Sequence, residues 1–109
     1  KIDMIISGGS NIYPAEVEAA ISAHPEVADC GVFGVPDPEW GEQVKAVVQR
    51  SKGSLVDEEA LIAWCRDRIA AYKCPKTVDF LDDLPREASG KLKKRLLRDP
   101  YWAGQTERI

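Results

Sequence analysis

At 109 residues, with 44% hydrophobic and 30% charged residues, the chain has the size and make-up of one ordered domain with a modest core, so a second full domain and a disordered or low-complexity chain are excluded. Its formal net charge of -3 excludes a protein that binds nucleic acid or membrane over its whole surface, and any basic site must be local. Apolar runs fall far short of the ~18 residues of a membrane helix and no charged-then-apolar leader opens the chain, so a soluble, cytoplasmic protein with no membrane span is expected.

The chain opens at Lys1, without methionine, and enters an apolar run almost at once, as expected of a piece of a longer polypeptide. Cys30, Cys65 and Cys74 are odd in number and widely spaced, which suits neither a disulfide framework nor a zinc knuckle, so reduced thiols are expected. With His24 the sole histidine and no metal-ligand spacing, no metal site is expected.

In chain order, Met4-Ile5-Ile6 reads as a strand stopped by a tight loop over Ser7-Gly8-Gly9-Ser10-Asn11. Pro14 suits the first turn of a helix running to about Ala23, with Val17, Ala20 and Ile21 on one face, ended by His24-Pro25. Val27 to Val35 and Gln43 to Arg50 are β-branched strands expected to pair antiparallel, with Trp40 on the turn between them. Asp57 caps a second helix running to about Ala71, with Leu61, Ile62, Cys65 and Ile69 on one stripe. Lys76 to Leu81 reads as a third strand, and after Pro85 a polar glycine-containing loop leads into the basic stretch Lys91 to Arg98. The expected architecture is α+β: a sheet of about three strands packed with two main helices, plus an N-terminal strand and loop and a short C-terminal helix.

Several motifs carry a chemical and a plainer reading. Ser7-Gly8-Gly9 before a helix either exposes backbone N–H groups to a phosphate or thin chain, or simply makes a turn. Pro85 to Lys91 partly matches a phosphate-binding loop, but Pro85 replaces its first glycine and Leu92 its Ser/Thr, so that reading fails. What remains is Lys91 behind a flexible Ser-Gly hinge, able to reach phosphate or carboxylate oxygens in a cleft; from the residues alone a solvated surface lysine is the simpler reading. Lys91, Lys93, Lys94, Arg95 and Arg98 form either a nucleic-acid patch or, with Leu92, Leu96 and Leu97 among them, the solvated face of an amphipathic helix. Trp40, Tyr72, Lys73 and Lys76 suit adenine stacking and phosphate pairing if tertiary contacts unite them, or else pack at the edge of the core.

Taken together, Asp3 to Glu18, Gly34 to Glu42 around Trp40-Gly41, Tyr72-Lys73-Cys74-Pro75-Lys76 and Leu84 to Lys91 resemble, in order and in register, the C-terminal domain of the AMP-forming acyl-CoA synthetases in the adenylate-forming superfamily. The resemblance covers nearly Lys1 to Leu97. It implies a two-step acid-CoA ligase: a carboxylic or fatty acid, ATP and Mg2+ give an acyl-adenylate and pyrophosphate, then the coenzyme A thiol displaces AMP. Residues 1–109 would be the mobile lid, its partner the N-terminal adenylation domain of the same polypeptide, which holds most of the ATP and Mg2+ contacts; the chain alone is expected to be inactive.

Residue by residue, the resemblance gives Lys91 the role of catalytic lysine of adenylation, and Gly8 and Gly9 the loop lining the pantetheine tunnel. Trp40, Tyr72, Lys73 and Lys76 match the neighbourhood that holds the nucleotide of coenzyme A, and Cys74 stands where the family often has a basic residue. The hinge falls at Ile2 and Asp3, with Ile2 replacing the usual Asp or Lys and Lys1 offering a charge one residue early. Lys91 also sits in a context where related ligases are modified by a lysine acetyltransferase, which would remove its charge. The rivals are an adenylation module that loads a carrier protein, and a free-standing interaction or nucleic-acid module.

Overall fold

A computed structural model describes residues 3–104. Strand β1 (Ile5–Ser7) doubles back through Gly8 and Gly9 into β2 (Ser10–Ile12), Ile5 lying opposite Ile12. The φ angles of 57° and 85° at Gly8 and Gly9 are both positive, as a two-residue hairpin turn requires and as glycine alone adopts freely. The sequence reading of a loop here misses β2, because Ser10 and Asn11 are exposed and polar and only Ile12 enters the core.

Helix α1 (Pro14–Ser22) starts on Pro14, whose missing N–H has no partner to lose in a first turn, and buries Pro14, Val17, Ala20 and Ile21. Strands β3 (Val27–Asp37) and β4 (Gly41–Arg50) pair antiparallel as expected and run further toward the turn. Pro36 is tolerated because β3 is an edge strand in the order β3-β4-β5. Asp37 closes the turn by accepting the N–H groups of Glu39 and Trp40 at 2.8 and 2.9 Å, which sets the position of the Trp40 ring.

Strand β5 (Thr77–Phe80) is parallel to β4, so a crossover is obligatory, and α2 (Glu58–Arg66) supplies it. Asp57 caps α2 as expected, accepting the Ala60 N–H at 2.9 Å. The helix ends at Arg66 rather than near Ala71: the chain must turn back toward β5, and a short 3-10 turn at Ala71–Lys73 makes that bend. Ile69 still packs against the core, but from irregular chain, so its spacing from Cys65 imitates a longer helix.

Alternation along the strands fills both faces of the sheet. Cys30, Val32, Val44, Ala46, Val48 and Val78 pack with α1, α2 and the β1–β2 hairpin. Phe33, Val35 and Val47 face the other way, onto Leu84 and Leu97. Leu97 belongs to α3 (Lys94–Trp102), which begins three residues after Lys91 and runs past Arg98, with Pro100 in its last turns. On this face buried Lys45 meets Asp79 at 3.0 Å, the Tyr101 hydroxyl donates to the same carboxylate, and the Trp102 indole N–H donates to the Gly34 carbonyl at 2.9 Å. These contacts fix α3 against the sheet and so fix the loop that precedes it.

Candidate functional site

The first group of site residues comes together at the open end of the hairpin. The Gly8 N–H donates to the Trp40 carbonyl at 2.9 Å, bringing the β1–β2 turn against the β3–β4 turn. A Cβ on Gly8 would lie 2.5 Å from Cε3 of Trp40, so the indole occupies the space that a side chain would need. Gly8, Trp40, Tyr72, Cys74 and Lys76 line one cleft of about 570 Å³. Trp40 and Tyr72 remain 44% and 57% exposed, so both rings offer free faces to a ligand. The fold thus places both aromatics on the same cleft.

Gly9 does not line the cleft, and nothing lies within 4 Å of the Cβ position it lacks. Lys73 does not line it either: its ammonium bonds both oxygens of Glu16, at 2.9 and 3.2 Å, and lies over Tyr72. The hydrogen bond to Glu16 also raises the Lys73 pKa, and the ion pair ties the 3-10 turn that carries Tyr72 to α1. Cys74 is buried and its thiol points toward the Ala70 carbonyl at 3.6 Å; burial pushes its pKa up, leaving it a small apolar wall. Arg66, at the end of α2, lines the cleft and was not anticipated, since nothing in its local sequence distinguishes it from other surface cations.

The second group sits on the opposite face of the sheet. Residues 86–92 form a tight reversal in which Arg86 bridges Leu92, the Glu87 N–H donates to the Lys91 carbonyl at 2.8 Å, and the Gly90 N–H donates to the Glu87 carbonyl at 2.8 Å. Arg86 braces it with a fork of bonds, to Asp29 at 2.6 and 2.9 Å and to the Gly90 carbonyl at 2.5 Å. The expected flexible Ser-Gly hinge is thus a pinned turn, and Arg86 and Asp29 are the residues that sequence reasoning missed. The Arg86 hydrogen bond, opposed in part by burial, holds the Asp29 carboxyl below its usual range. Lys91 is exposed at the end of this turn, and its ammonium makes no hydrogen bond or ion pair among the described residues. Leu92 beside it anchors the turn, its Cδ2 lying 2.6 Å from where a Cβ on Gly31 would be.

Lys94, one turn further, is mostly buried and bonds Asp3 at 2.8 Å and Glu18 at 2.9 Å. Burial disfavours its charge, but the hydrogen bonds it donates to both carboxylates raise its pKa overall. Glu18 also accepts the Val32 N–H at 2.9 Å, so α1, β3, the first turn of α3 and the N-terminal segment are joined at the edge of the sheet. Of the expected hinge, Asp3 is fixed by this contact, whereas Ile2 lies outside the described residues. In the basic stretch Lys94 is paired and Arg98 lies near Asp99 at 3.5 Å, while Lys91, Lys93 and Arg95 are exposed. Among the described residues no His, Cys, Asp or Glu group is placed to hold a metal ion, and no helix is long and apolar enough to cross a membrane.

The model of the AMP-binding enzyme C-terminal domain matches residues 16–91. A feruloyl-CoA synthase from Amycolatopsis sp is 56% identical over 96 residues, covering 88% of this chain and 20% of that protein. The 2-succinylbenzoate–CoA ligase of Geobacillus kaustophilus is 50% identical over 98 residues, again covering 20% of the relative. Among solved structures, ATP-bound MatB from Rhodopseudomonas palustris superposes with a TM-score of 0.86 at 44% identity, over 93% of this chain and 20% of that one. The Brucella canis acyl-CoA synthetase gives a TM-score of 0.88 at 37% identity, over 94% of this chain and 20% of that one. The chain thus spans about a fifth of the length of the relatives it matches, and it belongs to the AMP-binding enzyme C-terminal domain family.

Proposed function

We propose that the chain is the mobile C-terminal lid of an AMP-forming, cytoplasmic acid-CoA ligase, with Lys91 serving the first half-reaction and the Gly8–Trp40 cleft the second. The observation that carries this reading is the separation of the two sites: a free lysine on a pinned turn at one face of the sheet, and a glycine-floored aromatic cleft at the other. A single rigid body with two such sites can serve two steps by turning one face and then the other toward a larger partner domain.

In the first step a carboxylate oxygen attacks the α-phosphorus of ATP and the bond to pyrophosphate breaks; Mg2+ with the ATP belongs to the partner domain. The Lys91 ammonium, carried on the turn that Arg86 and Leu92 pin, would stabilise the charge developing on the phosphate and carboxylate oxygens. In the second step the thiol sulfur of coenzyme A bonds the acyl carbon, its proton is lost and the carbon–oxygen bond to AMP breaks. Gly8 would let the Trp40 ring sit against the backbone at the cleft, Gly9, with open space where its Cβ would be, would leave room for the thin pantetheine arm just outside it, and Trp40 and Tyr72 would receive the nucleotide. Acetylation of exposed Lys91 by a lysine acetyltransferase would switch off the first step alone, by removing the charge.

The test is the full-length enzyme with Lys91→Ala, assayed for acid-dependent ATP–pyrophosphate exchange and for thioester formation from supplied acyl-adenylate and coenzyme A. Loss of the first with survival of the second is expected; normal exchange in the variant overturns the assignment.

A further inference from the structure

The cleft that holds Trp40 and Tyr72 contains a cation that no motif announces. Arg66 ends α2, lines the same cleft as Tyr72 and Lys76, and makes no hydrogen bond or ion pair among the described residues. Its charge is felt at the buried Cys74 thiol, whose position brings no cation of its own. Of the neighbouring cations, Arg68 lies over the Trp64 ring and Lys73 is taken by Glu16, and neither lines the cleft. The positive charge available to a ligand therefore comes from Arg66 and Lys76, on the same concave surface as two half-exposed aromatic rings.

We infer that Arg66 binds a phosphate of the nucleotide portion of coenzyme A, and that it makes this cleft selective for a nucleotide-bearing thiol over the bare pantetheine arm of a carrier protein. This rests on the reading of the cleft as the thiol-acceptor site. An arginine suits the task because its planar fork can bond two phosphate oxygens at once and stays charged at any working pH. A carrier protein's arm ends in a phosphodiester to the carrier and brings no adenine, so the aromatic faces of Trp40 and Tyr72 would have nothing to stack on. The aromatic pair and the free guanidinium make sense together only for a ligand with both a base and phosphates.

The experiment uses the full-length enzyme and compares kcat/KM for coenzyme A, dephospho-coenzyme A and pantetheine in wild type, Arg66→Ala and Arg66→Lys. In Arg66→Ala the ratio of coenzyme A to pantetheine should fall about two- to fivefold, the scale of one solvent-exposed charged contact, and the loss should appear mainly in KM. Arg66→Lys should restore part of the ratio, since it keeps the charge and loses the fork. If Arg66→Ala lowers kcat/KM for coenzyme A but not for dephospho-coenzyme A, the contact is to the 3′-phosphate; if it lowers both alike, the contact is to the diphosphate. An unchanged ratio in Arg66→Ala overturns the inference, as does slower loading of a phosphopantetheine-bearing carrier protein with coenzyme A kinetics untouched. Absence of thioester formation by wild type with every thiol would instead sink the reading of the cleft itself.

Discussion

The Lys91 turn and the Gly8–Trp40 cleft are attached to opposite faces of one three-stranded sheet, and they are built in opposite ways. The turn is local: residues 86–92 bond among themselves, and one outside partner, Asp29, holds the bracing arginine. The cleft is assembled from the β1–β2 turn, the β3–β4 turn, and the stretch from the end of α2 to the approach to β5, three parts of the chain far apart in sequence. The lysine site works through one charge held at a fixed place. The cleft works through shape, with an absent Cβ at Gly8 and two exposed rings. Damage to the first should remove chemistry without removing binding, whereas damage to the second should remove fit.

The largest effect that separates them is Lys91→Ala in the full-length enzyme. Adenylation should fall about a hundred- to a thousandfold, the range for deleting one preorganised charge-stabilising donor, while transfer from supplied acyl-adenylate stays within a few-fold of wild type. Equal losses in both half-reactions would merge the two regions into one site.

The two glycines divide the cleft side further. Gly8→Ala forces a Cβ against Trp40 at 2.5 Å and strains a φ of 57°, so the hairpin should loosen by about 2 kcal/mol and the Trp40 emission should shift. Gly9→Ala strains a φ of 85° but has open space, so it should cost about 1 kcal/mol and leave Trp40 in place. Thermal unfolding and tryptophan fluorescence of the two variants separate these outcomes. If Gly9→Ala nonetheless slows the thioester step tenfold or more, the open space beside Gly9 is where the thiol arm runs.

A smaller loss is expected from Arg86→Ala, which leaves Lys91 intact but unpins its turn. Adenylation should fall about tenfold through lost positioning, with the KM for ATP little changed, and Arg86→Lys should recover little because the fork is missing. Because the Asp29 pKa is lowered by this partner, its contribution is present above the ordinary aspartate value of 3.8 and is lost as pH falls below it, so the turn stays pinned at any physiological pH. An Arg86→Ala enzyme with unchanged exchange kinetics would show that the turn holds its shape without the brace.

How legible each region was in the sequence follows from the same contrast. The strands β3 and β4, the cap at Asp57 and the proline start of α1 were all readable, because alternation, capping and Pro14 are local signals. The hairpin at Gly8–Gly9 was half readable: its turn shows in the glycines, but β2 buries only Ile12 and leaves no periodic trace. Ser89-Gly90 looked flexible because nothing within seven residues says that Arg86 will reach Asp29, 57 positions away. Arg66 was invisible for the same reason, since a surface cation acquires meaning only when Tyr72 and Lys76 fold beside it. Composition and periodicity report what a residue does to its own element, and these residues act across elements.

The smallest effect concerns how α3 keeps the lysine face in place. Tyr101 donates to Asp79, which also holds Lys45, and burial followed by that hydrogen bond pushes the Tyr101 phenol up to about 12. A raised pKa in the folded state means that the contribution is complete below the ordinary tyrosine value of 10.0 and is lost as pH climbs through about 12. Asp79 is half exposed, so removing this bond by Tyr101→Phe should cost only about 1 kcal/mol at neutral pH. The wild-type minus Tyr101→Phe difference in tyrosinate absorbance should titrate near 12, and the stability gap between the two proteins should close over the same range. A difference curve centred at 10.0 would mean that the phenol is not held by Asp79, and that the apolar contact of Leu97 with Phe33 and Val47 suffices to seat α3 and, with it, the Lys91 turn.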